Sequence, residues 1–199
     1  GVGAPITVDW DGGRLHVQPP PSQGVLLAMA ARWLQRTGPA ARGADLDHLL
    51  VEVTEAVFTH RDDCHAGAAL LDRPLTVDPE RSSRRGGPRA YLHTAGIATA
   101  DATGQVVSSL VSVFDDFGSG VFVPEAGLVL NNRAGGFTGG ANAFGPGRYP
   151  VHTLAPALVT DESGGVLALA TPGADGQVQT LLQVLAHRRY DGFGLAAAI

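Results

Sequence analysis

Residues 72–90 interrupt every periodic pattern in this chain. The stretch holds Arg73-Pro74 and Asp78-Pro79, then Arg81-Ser-Ser-Arg-Arg-Gly-Gly-Pro-Arg89. Proline lacks the donor that helices and ladders need, and glycine adds backbone entropy that ordering must overcome. No helix or strand is expected to cross it, so it reads as an exposed, mobile linker. Its arginine cluster is a candidate anion site, with a solvated loop as the plainer reading. The fold must therefore be assembled from two differently patterned halves.

Upstream, Ile6, Val8 and Trp10 alternate, Asp11-Gly-Gly13 turns, and Leu15 and Val17 alternate again, which predicts a hairpin. Pro19-Pro-Pro21 ends it, and Ser22 is positioned to cap a helix running to about Arg36, where Gly38-Pro39 stops it. Asp45 opens a second helix whose Leu46, Leu49, Leu50, Val53 and Val57 share one face, with Glu52 and Glu55 on the other. Downstream of Thr94 the pattern becomes β. Ile97–Ala100 and Val106–Phe114 flank a turn at Thr103-Gly104. Val121–Val123 and Leu128–Leu130 are short strands, and Ala157–Thr160 and Val166–Ala170 bracket Asp161-Glu-Ser-Gly-Gly165. Helical spacing returns over Gln177–Arg189.

The 199 residues suffice for one sizeable core. A net charge of −5 without a basic stripe argues against nucleic acid as a partner, and no apolar run approaches a membrane span. The single cysteine, Cys64, excludes an internal disulfide and leaves the compartment open, with the cytoplasm slightly favoured. A Cys64–His65 nucleophilic pair is conceivable, but a helix-end cysteine explains it as well. The run His60-Arg-Asp-Asp-Cys-His65 has metal-ligand residue types without a metal-site spacing, so no metal and no cofactor are expected. Asp115-Asp116 reads as a solvated turn before Phe117-Gly118 rather than an acid pair.

A threonine at the boundary between linker and β-segment can do chemistry. Its hydroxyl is a weak nucleophile and needs a base. An N-terminal residue carries one, the α-amine, with an ordinary pKa of about 7.7–8.0. Thr94 gains that amine only if the bond to His93 is cut, which Thr94 Oγ can do itself by adding to the His93 carbonyl and passing through an ester. A loose segment upstream lets the new end swing away. An apolar strand downstream is expected to hold Thr94 at the start of a buried strand.

Several segments together resemble the γ-glutamyltranspeptidase family of N-terminal nucleophile hydrolases. They are Thr94-Ala-Gly-Ile-Ala-Thr-Ala-Asp101, Gly104-Gln-Val-Val-Ser-Ser109, Phe117-Gly-Ser-Gly120, Leu130-Asn-Asn-Arg-Ala-Gly-Gly-Phe137, Pro150-Val-His-Thr-Leu154 and Thr171-Pro-Gly-Ala-Asp-Gly-Gln-Val-Gln-Thr180. The resemblance covers the family's C-terminal half. It implies an α+β fold, a four-layer αββα sandwich of which this chain supplies part. Residues 1–93 would be the end of the large-subunit region and 94–199 the small-subunit region. The family's N-terminal half would be a partner chain.

By the same resemblance Thr94 is the nucleophile, and Ser112 orients its oxygen. The N–H groups of Gly173 and Ala174 form the oxyanion hole. Phe114, Arg133, Gly136, His152 and Thr153 fall on or beside substrate-binding positions. There the departures are sharp. Phe114, Gly136, His152 and Thr153 stand where transpeptidases hold the substrate with an asparagine, an acidic residue and two serines. Ala95 and Gly96 replace the usual threonine and histidine. The implied activity is hydrolysis of a small amide or peptide-like substrate without standard γ-glutamyl specificity. Two alternatives stand beside it: hydrolysis of a C–C bond next to a carbonyl, and an unprocessed, non-catalytic scaffold.

Overall fold

A computed structural model describes residues 3–82 and 94–199. Most of the proposed arginine anion site, and the His93 side of the peptide bond before Thr94, lie outside the described residues.

The N-terminal hairpin forms as its alternation requires. Strand β1 (Ile6–Trp10) pairs antiparallel with β2 (Gly13–Val17), Ile6 opposite Val17. Asp11 and Gly12 both take positive φ, the backbone twist that a two-residue hairpin turn prefers. Gly13 is fixed by space: a Cβ there would fall 1.9 Å from the Thr160 carbonyl oxygen.

That oxygen belongs to β7 (Ala157–Thr160), which pairs with β2 on one side and β8 (Val166–Leu169) on the other. The order β1-β2-β7-β8 is antiparallel throughout, so sequence from both sides of the linker shares one sheet. Between these strands in the chain come the hairpin β3 (Thr94–Ala100) and β4 (Val106–Ser112), then the short pair β5 (Phe122–Val123) and β6 (Leu128–Val129).

Helices α1 (Gly24–Thr37), α2 (Ala44–Phe58) and α3 (Gly176–Ala186) bury their apolar faces in one core with β1 and β2. Leu15, Leu26, Leu27, Leu34, Leu46, Leu50 and Leu182 are fully buried there. Each such side chain contributes about 1.5–3 kcal/mol. A last short helix, α4 (Leu195–Ala198), touches α3.

Four expectations need correction. Helix α1 starts one turn-position later than a Ser22 cap implies, with Gln23 at its N-cap. Ser22 Oγ still accepts from the Gly24 N–H (2.9 Å) and donates to the Leu154 carbonyl (2.6 Å). Glu52 is buried rather than solvent-facing, because α2 packs against both α1 and α3 and its buried arc exceeds one stripe. Helix α3 ends at Ala186 and widens into a π turn over His187–Asp191, closed by Gly192 at positive φ. Strand β3 is not buried: only Thr94 is partly covered, and Ala95–Ala100 are exposed. Alternation names a face for packing but does not supply what packs on it.

Candidate active site

Thr94 opens β3 directly opposite Ser112, the last residue of β4. Even-numbered β4 residues turn toward β8, and Ser108 Oγ donates to the Leu169 carbonyl at 2.5 Å. Thr94 and Ser112 therefore sit on the inner side of the hairpin, where both line a cleft of about 560 Å³. Ser112 Oγ also accepts from the Phe114 N–H (3.0 Å), an arrangement helped by the positive φ (83°) of Phe114. That bond fixes the hydroxyl while leaving its proton available to donate.

On the far wall lies the loop between β8 and α3. Gly173 (φ 119°) and Ala174 (φ 48°) both take positive φ, and Ala174 is buried and lines the cleft. A non-glycine residue in that region stores strain and is found where the surroundings impose it. The Gly173 carbonyl accepts from the Gly176 N–H at 2.8 Å, which turns the loop into α3. Successive N–H groups in such a turn, at a helix N-terminus, form a natural anion cradle.

The next residue, Asp175, anchors the loop. Its Oδ1 accepts from Gln23 Nε2 (2.8 Å) and from Arg61 Nε (3.1 Å). Sequence reading missed this Gln23–Asp175–Arg61 network, and nothing local signals it. Asn132, the N-cap residue of the small 3₁₀ helix Arg133–Gly136, performs a similar service on the other wall. It accepts from the Asp115 N–H (3.0 Å) and donates to Asp115 Oδ2 (2.8 Å).

The wall of the cleft around Phe114 is built by packing. Gly135 and Gly136 lie under the Phe114 ring: Cβ atoms added there would be 3.2 Å and 3.6 Å from ring carbons. The Arg133 guanidinium lies over the ring, 5.3 Å from its centroid. Phe114, Arg133, Gly136 and Thr153 all line the cleft. His152 does not; it sits behind, its backbone bonded to Pro21 and Gln23. Burial, and secondarily the Arg133 charge, hold its imidazole well below the ordinary value, at about 4. Gly173, which has no side chain, is not itself among the lining residues, but it directly precedes Ala174, which is.

The other sequence candidates stay apart from this chemistry. Cys64 is buried, and burial pushes its thiol up to about 12, so it is an inert core residue rather than a nucleophile. Among the described residues no group of three His, Cys, Asp or Glu side chains is placed to hold a metal ion, and no described helix is long and apolar enough to cross a membrane.

Comparison with known proteins agrees with this architecture. Residues 78–199 match the family model of gamma-glutamyltranspeptidase. The oxamate amidohydrolase proenzyme of Klebsiella pneumoniae is 30% identical over 98% of this chain and 40% of its own length. A glutathione hydrolase proenzyme of Pseudomonas aeruginosa is 30% identical over 91% of this chain and 39% of its own. The crystal structure of a cephalosporin acylase from Bacillus halodurans superposes with a TM-score of 0.67 at 24% identity, covering 95% of this chain and 38% of that one. The fold is thus the α+β fold of N-terminal nucleophile hydrolases. The chain belongs to the gamma-glutamyltranspeptidase family. It spans about 40% of the length of the curated relatives it matches.

Proposed function

We propose that this chain carries the nucleophile of a self-processing amidohydrolase, cut before Thr94 and using Thr94 as an N-terminal nucleophile. The observation that supports it most is the convergence of Thr94, Ser112 and Ala174 on one cleft from three separate elements. The relatives' names as hydrolase and amidohydrolase proenzymes point the same way.

In this reading the freed α-amine of Thr94 takes the proton of its own Oγ as that oxygen adds to the substrate carbonyl. Ser112 orients the oxygen. The N–H groups of Gly173 and Ala174 receive the developing oxyanion, a role worth about 2.7–4 kcal/mol of barrier per donor elsewhere. Collapse expels the amine, which takes the proton from the Thr94 ammonium. Water then attacks the threonyl ester, losing its proton to the Thr94 α-amine, which returns it to Oγ as the ester bond breaks and the acid leaves. Residues 1–93 and 94–199 would then be subunit regions of one enzyme. The part of the relatives' length not spanned here would supply the remaining half of the fold as a partner chain.

The test is cleavage and its dependence on one hydroxyl. On this chain, cutting before Thr94 gives pieces of 93 and 106 residues (199 − 93 = 106). The smaller-subunit fragment should begin Thr-Ala-Gly-Ile by N-terminal sequencing. Thr94→Ala should remain uncut and inactive, and Thr94→Ser should be cut and retain amidase activity. An active sample in which the His93–Thr94 bond is intact overturns the reading and favours the scaffold role.

A further inference from the structure

The turn that leaves β4 carries an unfavourable backbone conformation and the brace that holds it. Phe114 takes φ 83°, a region that a residue with a Cβ enters only where its surroundings impose it. Its N–H then points back to Ser112 Oγ at 3.0 Å. The residues on both sides of Phe114 are tied to Asn132. The Asn132 N–H donates to the Val113 carbonyl (3.2 Å). Its Oδ1 accepts from the Asp115 N–H (3.0 Å), and its Nδ2 donates to Asp115 Oδ2 (2.8 Å). The Asp115 carbonyl accepts from the Gly118 N–H (2.8 Å), which closes the turn. Asp115 Oδ1 is shielded and has no hydrogen-bond partner among the described residues, so this carboxylate leans on Asn132 through Oδ2.

We infer that Asn132 is a positioning residue: it holds the Val113–Asp115 turn in the shape that aims the Phe114 N–H at Ser112 Oγ, and so fixes the Ser112 hydroxyl where it faces Thr94. Ser112 ends β4 directly opposite Thr94, and both line the cleft. An unanchored serine side chain hops among staggered positions, and the Phe114 bond selects one of them. With that acceptor position filled, the Ser112 proton is left to donate into the cleft. Asn132 stands outside the lining, so it acts through Ser112 rather than on a substrate. An amide suits the place because it accepts and donates at once. An aspartate there would keep the acceptor, lose the donor and set a second carboxylate against Asp115.

This assignment rests on the amidohydrolase reading above, and the experiment separates the two. On the mature protein as the cell makes it, with butyryl p-nitroanilide as probe, Asn132→Ala should lower kcat by about tenfold or more and leave KM within about twofold. Ser112→Ala should lower kcat as well, and adding Asn132→Ala to it should cost no further factor beyond about twofold. A structural role for Asn132 would instead multiply the two losses, and that result overturns the assignment. Asn131→Ala is the control. Its amide oxygen serves the Arg133 N–H rather than the turn, and kcat should stay within about twofold. A loss there equal to that of Asn132→Ala also overturns the assignment. Amide hydrogen exchange in Thr94→Ala reads the same bond without turnover. Protection of the Phe114 N–H should fall by about tenfold or more when either Asn132→Ala or Ser112→Ala is added, and should survive Asn131→Ala. If the wild-type protein hydrolyses the anilide but Asn132→Ala does so equally well, the Asn132 assignment falls and the amidohydrolase stands. If nothing is hydrolysed, the exchange result decides: lost protection in Asn132→Ala keeps the brace while the catalytic reading falls, and unchanged protection overturns the brace.

Discussion

His152 shows how a single side chain can report on the site without entering it. Its folded pKa, about 4, lies below the ordinary 6.5 because burial, and then the Arg133 charge, oppose protonation. Between those two values the unfolded chain binds a proton that the folded chain refuses. Stability is therefore complete above about pH 6.5 and is lost as pH falls toward 4, by up to roughly 3 kcal/mol. Urea unfolding at pH 7.5 and pH 5 should show this loss, and His152→Asn should flatten it; an unchanged slope in the variant sinks the assignment. Arg133→Met should move the His152 resonance titration upward, since the second cause of the depression is removed. Asp175 gives a different kind of prediction. Replacing it with alanine leaves Gln23 Nε2 without its acceptor and Arg61 with only the longer contact to Asp62. The expected cost is about 1–3 kcal/mol of unfolding free energy, with a fall in kcat because Ala174 is its neighbour. Asp175→Asn, which still accepts, should do less harm. Neither partner of Asp175 was legible in the sequence. They lie 114 and 152 residues away, and ion pairs at that separation leave no periodic trace. Thr94, Ser112 and Ala174 were legible only because their spacing resembles that of a family.

At the scale of elements, what was readable was local. The β1–β2 and β7–β8 hairpins follow from alternation plus a turn whose residues tolerate the required backbone. Asp161 Oδ1 even accepts from the N–H groups of Ser163 and Gly165 within its own turn. The pairing of β2 with β7 across the linker has no such local signature, nor does the double-sided burial of Glu52 on α2. Gly96 belongs with these. As a sequence departure it reads as loss of a histidine, yet in the fold it lets β3 run close to the next layer. A Cβ at Gly96 would lie 3.0–3.1 Å from the backbone of Ala170 and Thr171. Those residues lead directly into Gly173 and Ala174. Gly96→Val should therefore push the loop over 171–174 away from Thr94. A displacement of that kind costs on the order of 100-fold in kcat. Gly139→Ala, where nothing lies within 4 Å of the new methyl, is the control and should leave kcat unchanged.

Across the whole molecule the apolar surface is unevenly distributed. The core between the four-stranded sheet and α1–α3 is closed, whereas the β3–β4 hairpin presents an apolar outer side. The register Thr94↔Ser112 sets Ile97, Val107 and Val111 together on that side, 47%, 52% and 59% exposed. Phe117 and Phe122, 82% and 57% exposed, follow in the next turns of chain. Scattered apolar residues on a surface are ordinary, but a row of them on one strand face is a packing surface in want of a layer. The strand that Thr94 opens is the element left uncovered. If the remainder of the relatives' length supplies that layer, its docking and the alignment of Thr94 with Ser112 are one event. The chain produced alone should then bind a hydrophobic dye and self-associate, and co-production with the upstream segment should suppress both. Val111→Lys should improve solubility of the lone chain while weakening its association with that segment by about tenfold or more in a pull-down titration. A lone chain that stays monomeric, dark to the dye and fully active would show that β3 needs no second layer to hold its first residue in place.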